Sequence, residues 1–332
     1  MSGNGSHRLA ARLRYLRRVA SAYLGRAPSQ LTFWHEPPEK NEHAFHEPCG
    51  EYYHCFFHKA DYEAHRDAAG VPLLDYRGHV GRQYNPIAIA QWGLGNFNLY
   101  RRTGRAERKD RYLLAADWLV SNLRPNAQGV AVWQHPFDWE YRQVLKAGWY
   151  SALAQGQGVS LLCRAHRDTG RDVYLEAAQA AFRSLTLDVK DGGVRIAEGP
   201  DGAWLEEAPV DPPTHILNGF VWALWGVRDY AVVSNESKAW SLLGACARTL
   251  ERRLPEFDCG FWSLYEQSGT RLPMLASPFY HLLHISQLMI TSRLLDLTGL
   301  TRWSGRWQAY ASSRWCRARA LVQKSLFKMI HY

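Results

Sequence analysis

Apolar residues recur along this chain at helical spacing, and glycines interrupt them at long, similar intervals. In residues 148–170, Leu153, Val159, Leu161, Leu162 and Ala165 share one helical face, and Thr169-Gly170 stops the run. Ser151, Ala152, Ala154, Gly156 and Gly158 add little packing volume but let a neighbouring backbone come close. Related stretches lie at 85–94, running on to Thr103-Gly104, at 217–227, and at 280–288, running on to Thr298-Gly299. Aligning Gln91, Gln155, Leu224 and Gln287 gives steps of 64, 69 and 63 residues. That period is too long for one helical hairpin of a solenoid.

A second amphipathic helix is predicted in each period, over 111–123, 174–185, 238–253 and 303–317. After each of the first three comes a glycine and a strand-like run, at 129–133, 192–196 and 260–265. The repeat is therefore helix, turn, helix, short hairpin. It predicts a mainly α fold, an α/α toroid (an incomplete α/α barrel) with short β-hairpins on one rim. A plain helical bundle with irregular loops is the alternative. The expected organisation is a basic N-terminal helix and connector over 1–40, an aromatic and His-rich loop or short-strand segment over 41–80, the toroid over 81–317, and a basic tail over 318–332.

Charge changes this picture only at the ends. The net charge is +9, yet residues 1–35 hold six arginines and no acid, and residues 297–332 hold seven Lys or Arg and no acid. The body between them is mildly acidic, so overall basicity is no argument for an anionic substrate, and nucleic acid is not an expected partner. The helical stripe at 7–26 carries Leu9, Leu13, Leu16, Ala20 and Tyr23. It suits docking on the toroid or contact with an anionic membrane surface. No apolar run reaches membrane-spanning length, and no secretory leader is apparent. A cytoplasmic protein, peripheral at most to a membrane, is the expectation. A homodimer is left open.

Six cysteines show neither C-x-x-C pairs nor a secreted disulfide pattern, so free thiols are expected. Residues 43–65 gather His43, His46, Cys49, His54, Cys55, His58 and His65, but their spacing fits no zinc pattern. Tyr52, Tyr53, Phe56 and Phe57 between them favour a packed aromatic strand pair, and neither metal nor cofactor is expected. The hairpins hold the polar chemistry: His135, Asp138, Glu140 and Tyr141 in the first, Glu206-Glu207 in the second, Trp262, Tyr265 and Glu266 in the third. Adjacent residues of a strand point to opposite faces, so Glu206 and Glu207 serve different surroundings. His281 and His284 share a helix face.

Five motifs occur in register: residues 84–94 (YNPIAIAQWGL), 148–157 (GWYSALAQGQ), 204–209 (WLEEAP), 217–220 (LNGF), and Tyr280-His281 with 284–288 (HISQL). Together they resemble the C-terminal domain of the D-glucuronyl C5-epimerase family over roughly residues 80–310. The resemblance implies an α/α toroid acting on uronic acid residues of a polysaccharide, as in heparan sulfate-type chains. It implies Glu207 and Tyr280 as catalytic groups; Tyr265, which stands where the family has an arginine, is expected as a substitute phenol. Arg82, Tyr84, Trp149, Tyr150, Gln155, Gln157, Asn218, Trp262, His281 and His284 are the implied substrate-binding residues. The family's Tyr-Asp-Leu-Arg-His run is replaced here by Trp262-Ser263-Leu264-Tyr265-Glu266, and the tyrosine after the paired glutamates by Ala208.

Epimerisation needs acid/base groups on both faces of C5 and a cation facing the carboxylate. Arg82, His281 and His284 are the candidates for that cation. Three other outcomes stay open: a lyase that shares the carbanion, a non-catalytic polysaccharide-binding homologue, and a glycoside hydrolase pairing Glu207 with Asp138 or Glu140.

Overall fold

The computed structural model describes residues 33–35, 39–76, 78–141 and 143–331. The basic stripe at 7–26 and most of the connector lie outside the described residues. The fold is mainly helical. Four helices of 18 residues each recur along the chain: α1 (Pro86–Thr103), α3 (Ala152–Thr169), α5 (Leu217–Ser234) and α7 (Pro278–Leu295). Each is followed by a partner helix antiparallel to it: α2 (Ala106–Asn122), α4 (Asp172–Thr186), α6 (Ser237–Arg253) and α8 (Gly299–Ser312).

The two sets differ in burial because they differ in patterning. α1, α3 and α5 are buried around most of their circumference over their first dozen residues, as expected of helices with apolar or small residues on every side. α2, α4 and α6 bury one stripe each and leave the rest to solvent. The inner helices pack in chain order, α1 on α3, α3 on α5, α5 on α7. The α3–α5 contact is the closest because glycines face each other across it. A Cβ on Gly156 would come within 2.5 Å of the Ala223 Cα, and one on Gly226 within 2.2 Å of the Gly156 carbonyl oxygen.

Helix ends follow local chemistry. Asn85, Ser151 and Ser277 cap α1, α3 and α7 by accepting backbone N–H groups of the first turn. Gly104 and Gly170 close α1 and α3 in the left-handed region, as the Thr-Gly signals predict. The fourth stop falls earlier than expected. Asp296, not Gly299, is the left-handed cap of α7, and Gly299 instead opens α8. The helix expected over 303–317 is also interrupted, since Ser313 is extended and its hydroxyl accepts the Cys316 N–H. A new helix, α9 (Arg314–His331), starts there.

The connections between periods are short antiparallel pairs: β1 (Leu74–Asp75) with β2 (Arg82–Gln83), β3 (Arg124–Pro125) with β4 (Ala131–Val132), β5 (Trp139–Glu140) with β6 (Val144–Leu145), and β7 (Arg195–Glu198) with β8 (Gly202–Leu205). The third expected hairpin is held only by the bridges Asp258–Ser263 and Leu264–Leu275.

Of the expected strand pair, residues 39–60 keep a single antiparallel bridge, Lys40–His54, with the Asn41 N–H donating to the Tyr53 carbonyl (2.9 Å). The rest runs as irregular chain with two short helical turns, Glu42–Phe45 and Phe57–Ala60, against the buried sides of the inner helices. The Asn98 side-chain oxygen of α1 accepts the Tyr52 N–H (2.6 Å), and the Asn98 amide donates to the His54 carbonyl (2.9 Å). Arg164 of α3 donates to the Gly50 carbonyl (2.8 Å), and His54 Nε2 pairs with Ser286 of α7 (3.1 Å). The Tyr53 hydroxyl bonds Asp229 of α5. Beyond that bridge, the Gly50, Tyr52 and His54 carbonyls are met by helix side chains.

Candidate active site

The loops joining the helix pairs meet over one cavity of about 230 Å³. His135, Phe137, Trp139 and Trp149 come from the region of the first hairpin, Glu207 from just beyond β8, and Tyr265 from the third connection. Asn218, Phe279 and Tyr280 come from the first turns of α5 and α7, Ile87 and Gln91 from α1, and Trp34 and Lys59 from the N-terminal segment. The connections are tied together beneath it. Tyr141 bonds Glu266, the Gln267 N–H donates to the Thr214 carbonyl (2.7 Å), and the Ala152 N–H donates to the Glu206 carbonyl (2.9 Å).

Glu206 and Glu207 lie just past the end of β8, outside the strand expected to hold them, and have different surroundings. Glu206 is fully buried and accepts the His215 imidazole. Glu207 lines the cavity at the start of α5, where Asn218 Nδ2 donates to it (3.2 Å) and the Gly219 N–H faces it. Gly219 is required at that contact, because a Cβ there would sit 2.0 Å from Glu207 Oε2 and 2.6 Å from its Cβ. Burial raises the Glu207 carboxyl to about 8, with the neighbouring Glu206 and Glu266 charges adding to the effect. The two α5 donors offset part of that rise.

Tyr265 and Tyr280 meet edge to face, with ring centroids 4.8 Å apart. Burial, and next the Glu207 charge, raise both phenols above their ordinary value. Each is therefore a proton-bearing phenol near neutral pH. Trp149 lies flat against His135, with ring centroids 3.7 Å apart.

The remaining residues implied by resemblance do not line this cavity. Arg82 is exposed on β2, and the Tyr84 hydroxyl donates to Asp67 (2.7 Å). Tyr150 packs on the main core. Gln155 imitates a strand partner, its side chain bonding both the N–H and the carbonyl of Trp133 (each 3.1 Å). Gln157 accepts Gln91 Nε2 (2.9 Å). Trp262 stacks on His281 (3.8 Å) in a separate core and donates to the Ala276 carbonyl.

His281 and His284 share the Ser263 hydroxyl, at 2.8 and 3.0 Å. Burial lowers His281 to about 3 and pushes His284 well below its usual value. Both are neutral. With Arg82 at the surface, none of the three expected cations stands in the cavity. Lys59 lines it, its ammonium donating to the Phe33 carbonyl and lying 4.4 Å from the Phe33 ring centroid and 5.7 Å from that of Trp34. Asp138 is held outside by Lys146 and the Ala147 N–H (both 2.8 Å), and Glu140 is exposed, so neither carboxylate expected of a hydrolase lines the cavity.

Sequence reasoning also missed Tyr76, Asn85 and Gln91. The last two sit in the first repeat motif at the α1 N-terminus, which is the signal that could have found them. Lys59, in an aromatic run outside the repeats, carried no such signal. Among the described residues, no three His, Cys, Asp or Glu side chains come together as a metal site.

Comparison with known proteins agrees with this architecture of motifs. A D-glucuronyl C5-epimerase of Caenorhabditis elegans is 32% identical over 225 residues, 62% of this chain and 36% of that protein. The chain thus spans about a third of the length of that relative. An uncharacterized protein of Methanocaldococcus jannaschii is 29% identical over 227 residues, 64% of this chain and 72% of that one. A solved structure described as UGL with dGlcA-Glc-Rha-Glc is 15% identical, with a TM-score of 0.45, covering 66% of this chain and 62% of that chain. The D-glucuronyl C5-epimerase C-terminus family is matched over residues 128–309, more than half of the sequence, and the chain belongs to that family.

Proposed function

We propose that this chain abstracts and returns the C5 proton of uronate residues within an acidic polysaccharide, as a C5-epimerase. The observation that carries this reading is one carboxyl, Glu207, raised to about 8 and lining the same cavity as Tyr265, Tyr280 and Lys59. In its ionised form Glu207 takes the C5 proton. The electron pair left behind spreads into the uronate carboxylate, whose growing charge Lys59 offsets. Tyr280, supported by Tyr265, then gives its phenolic proton to the opposite face of C5. The phenolate left behind regains a proton from solvent, and Glu207 loses one, completing the cycle. Trp149 and Trp139 offer aromatic surface for sugar rings.

The inner line α1–α3–α5–α7, with its outer partners, is read as an incomplete α/α toroid whose loops gather on the catalytic rim. Support for contact with an anionic membrane surface through the termini comes from α9, which exposes Trp315 (87%) among Arg314, Arg317 and Arg319. No helix among the described residues is long and apolar enough to cross a membrane.

β-Elimination is the second reading, favoured by Glu207 being the one carboxylate among the lining residues. There the same carbanion expels the O4 substituent, and a phenol protonates the departing oxygen. Incubating the protein with uronate polymers in deuterated water, read by NMR, tests both. Deuterium at C5 with inverted configuration is expected. An unsaturated uronate would transfer the reading to a lyase, and no change across a broad panel would leave a binding protein.

A further inference from the structure

Three buried polar side chains that line the cavity lack a protein partner at one or more atoms. His135 is fully buried, and neither Nδ1 nor Nε2 has a hydrogen-bond partner. Gln91 and Asn218 are each 1% exposed, and each leaves its side-chain oxygen unpartnered. Their amide nitrogens are engaged, Gln91 on Gln157 and Asn218 on Glu207, which leaves the two oxygens as the spare ends in this arrangement. Buried polar groups are ordinarily satisfied, because an unmet one keeps its desolvation cost. Three such groups on three elements around one cavity mark a place where a ligand completes them.

We propose that His135, Gln91 and Asn218 form a subsite that reads the ring hydroxyls of the saccharide next to Glu207. The proposal rests on the saccharide reading above for its ligand class, and not on the reaction. The chemistry of the set is specific. Two amide oxygens and an imidazole lone pair accept, and one imidazole N–H donates. Burial lowers His135 to about 3, so the imidazole stays neutral and presents both a donor and an acceptor. Such a set suits hydroxyls, which donate and accept. It suits a carboxylate poorly, since a carboxylate has no proton to offer two amide oxygens. The His135 ring cannot turn away to find water, because it lies against Trp149 and its backbone is bridged to that residue (His135 N–H to the Trp149 carbonyl, 2.8 Å). Asn218 touches Glu207, so a hydroxyl held on Asn218 would fix the sugar ring beside the reacting carboxyl.

A panel of uronate-containing tetrasaccharides, binding measured by calorimetry and folding by thermal melts, tests this on the full chain. His135→Phe keeps the stacked ring and removes both nitrogens. A weakening of binding of tenfold or more is expected, with the melting temperature unchanged or raised, because an unmet polar group has been removed. His135→Gln, which restores a donor and an acceptor, should recover part of the affinity. Deoxy analogues of the best ligand should bind the parent protein more weakly and His135→Phe no differently from the complete sugar. A lowered melting temperature with unaltered affinity in His135→Phe would make the residue structural and overturn the proposal, as would full-strength binding of every deoxy analogue or no binding of any panel member. Deuterium exchange at C5 reports the reaction separately. Binding without exchange overturns the epimerase reading and leaves the subsite standing, and exchange with unchanged binding by His135→Phe does the reverse.

Discussion

At the scale of single residues, the site turns on how burial divides its acids. Glu207 is raised to about 8, whereas the phenols of Tyr265 and Tyr280 lie higher still. The carboxyl is therefore the group whose base form grows across the neutral range, and the phenols are the groups that hold protons. Proton abstraction from C5 should rise with pH and level off above about 8, measured as exchange rate against pH. A flat profile between pH 6 and 9 would exclude Glu207 as the base. Linkage gives a second observable. The folded state holds the Glu207 proton more tightly than the unfolded chain does, so this residue costs stability as pH rises from about 4.5 to about 8. Glu207→Gln should accordingly melt above the parent at pH 9, by on the order of 1–2 kcal/mol after allowing for its partial exposure, and at pH 4 the two should coincide. Tyr280→Phe should lower turnover by roughly 10²-fold, the usual scale for an acid/base group, with little change in melting. Near-normal turnover in that variant would shift the acid role to Tyr265.

At the scale of elements, the first turn of α5 is the part that makes Glu207 usable. Its N–H at Gly219 and its Asn218 amide both face the carboxyl, and only a residue without a side chain fits so close. Gly219→Ala should displace Glu207 and reduce turnover by roughly 10-fold or more, while circular dichroism and the oligomeric state stay unchanged. A fully active Gly219→Ala protein would mean the helix start does not hold the carboxyl. Much of this element was legible in advance. The inner helices rich in small residues and the Thr-Gly stops of α1 and α3 follow from periodicity and local turn chemistry alone. Misplaced were the elements whose ends depend on tertiary contacts. α7 stops at Asp296 because the chain turns there without glycine, and Ser313 breaks an amphipathic run that itself shows no break. The three expected cations failed for a related reason. Motif position says nothing of whether a histidine is desolvated, and Ser263 draws His281 and His284 into a buried cluster.

At the scale of the whole molecule, the segment at 39–60 is the piece no periodicity announced, and it carries Lys59 to the cavity from outside the region matched to the family. What anchors it is a charge cluster buried between α3 and α5. Arg164 pairs with Asp229 at 2.6 Å, both with fully buried side chains, and Ser160 donates to the same carboxylate at 2.7 Å. Arg164 also reaches the Gly50 carbonyl, and Tyr53 bonds Asp229 while accepting from Arg228 at 2.9 Å. Removing one partner of a buried pair strands the other charge, so Asp229→Asn should cost about 3–5 kcal/mol. Replacing both by apolar residues, as in the double variant Arg164→Met with Asp229→Leu, should recover part of that loss, because the fully buried guanidinium leaves with its carboxylate, while Arg228, 3.9 Å from Asp229, keeps its bond to Tyr53. The two variants separate stability from delivery of Lys59. The double variant still lacks the bonds to Gly50 and Tyr53, so residues 39–60 should become more open to protease, and saccharide affinity should fall although the melting temperature has partly returned. Equal protease resistance and equal affinity in parent and double variant would show that the segment is held by apolar packing of Tyr52, Tyr53 and Phe56 alone, and that the buried cluster serves only the α3–α5 contact.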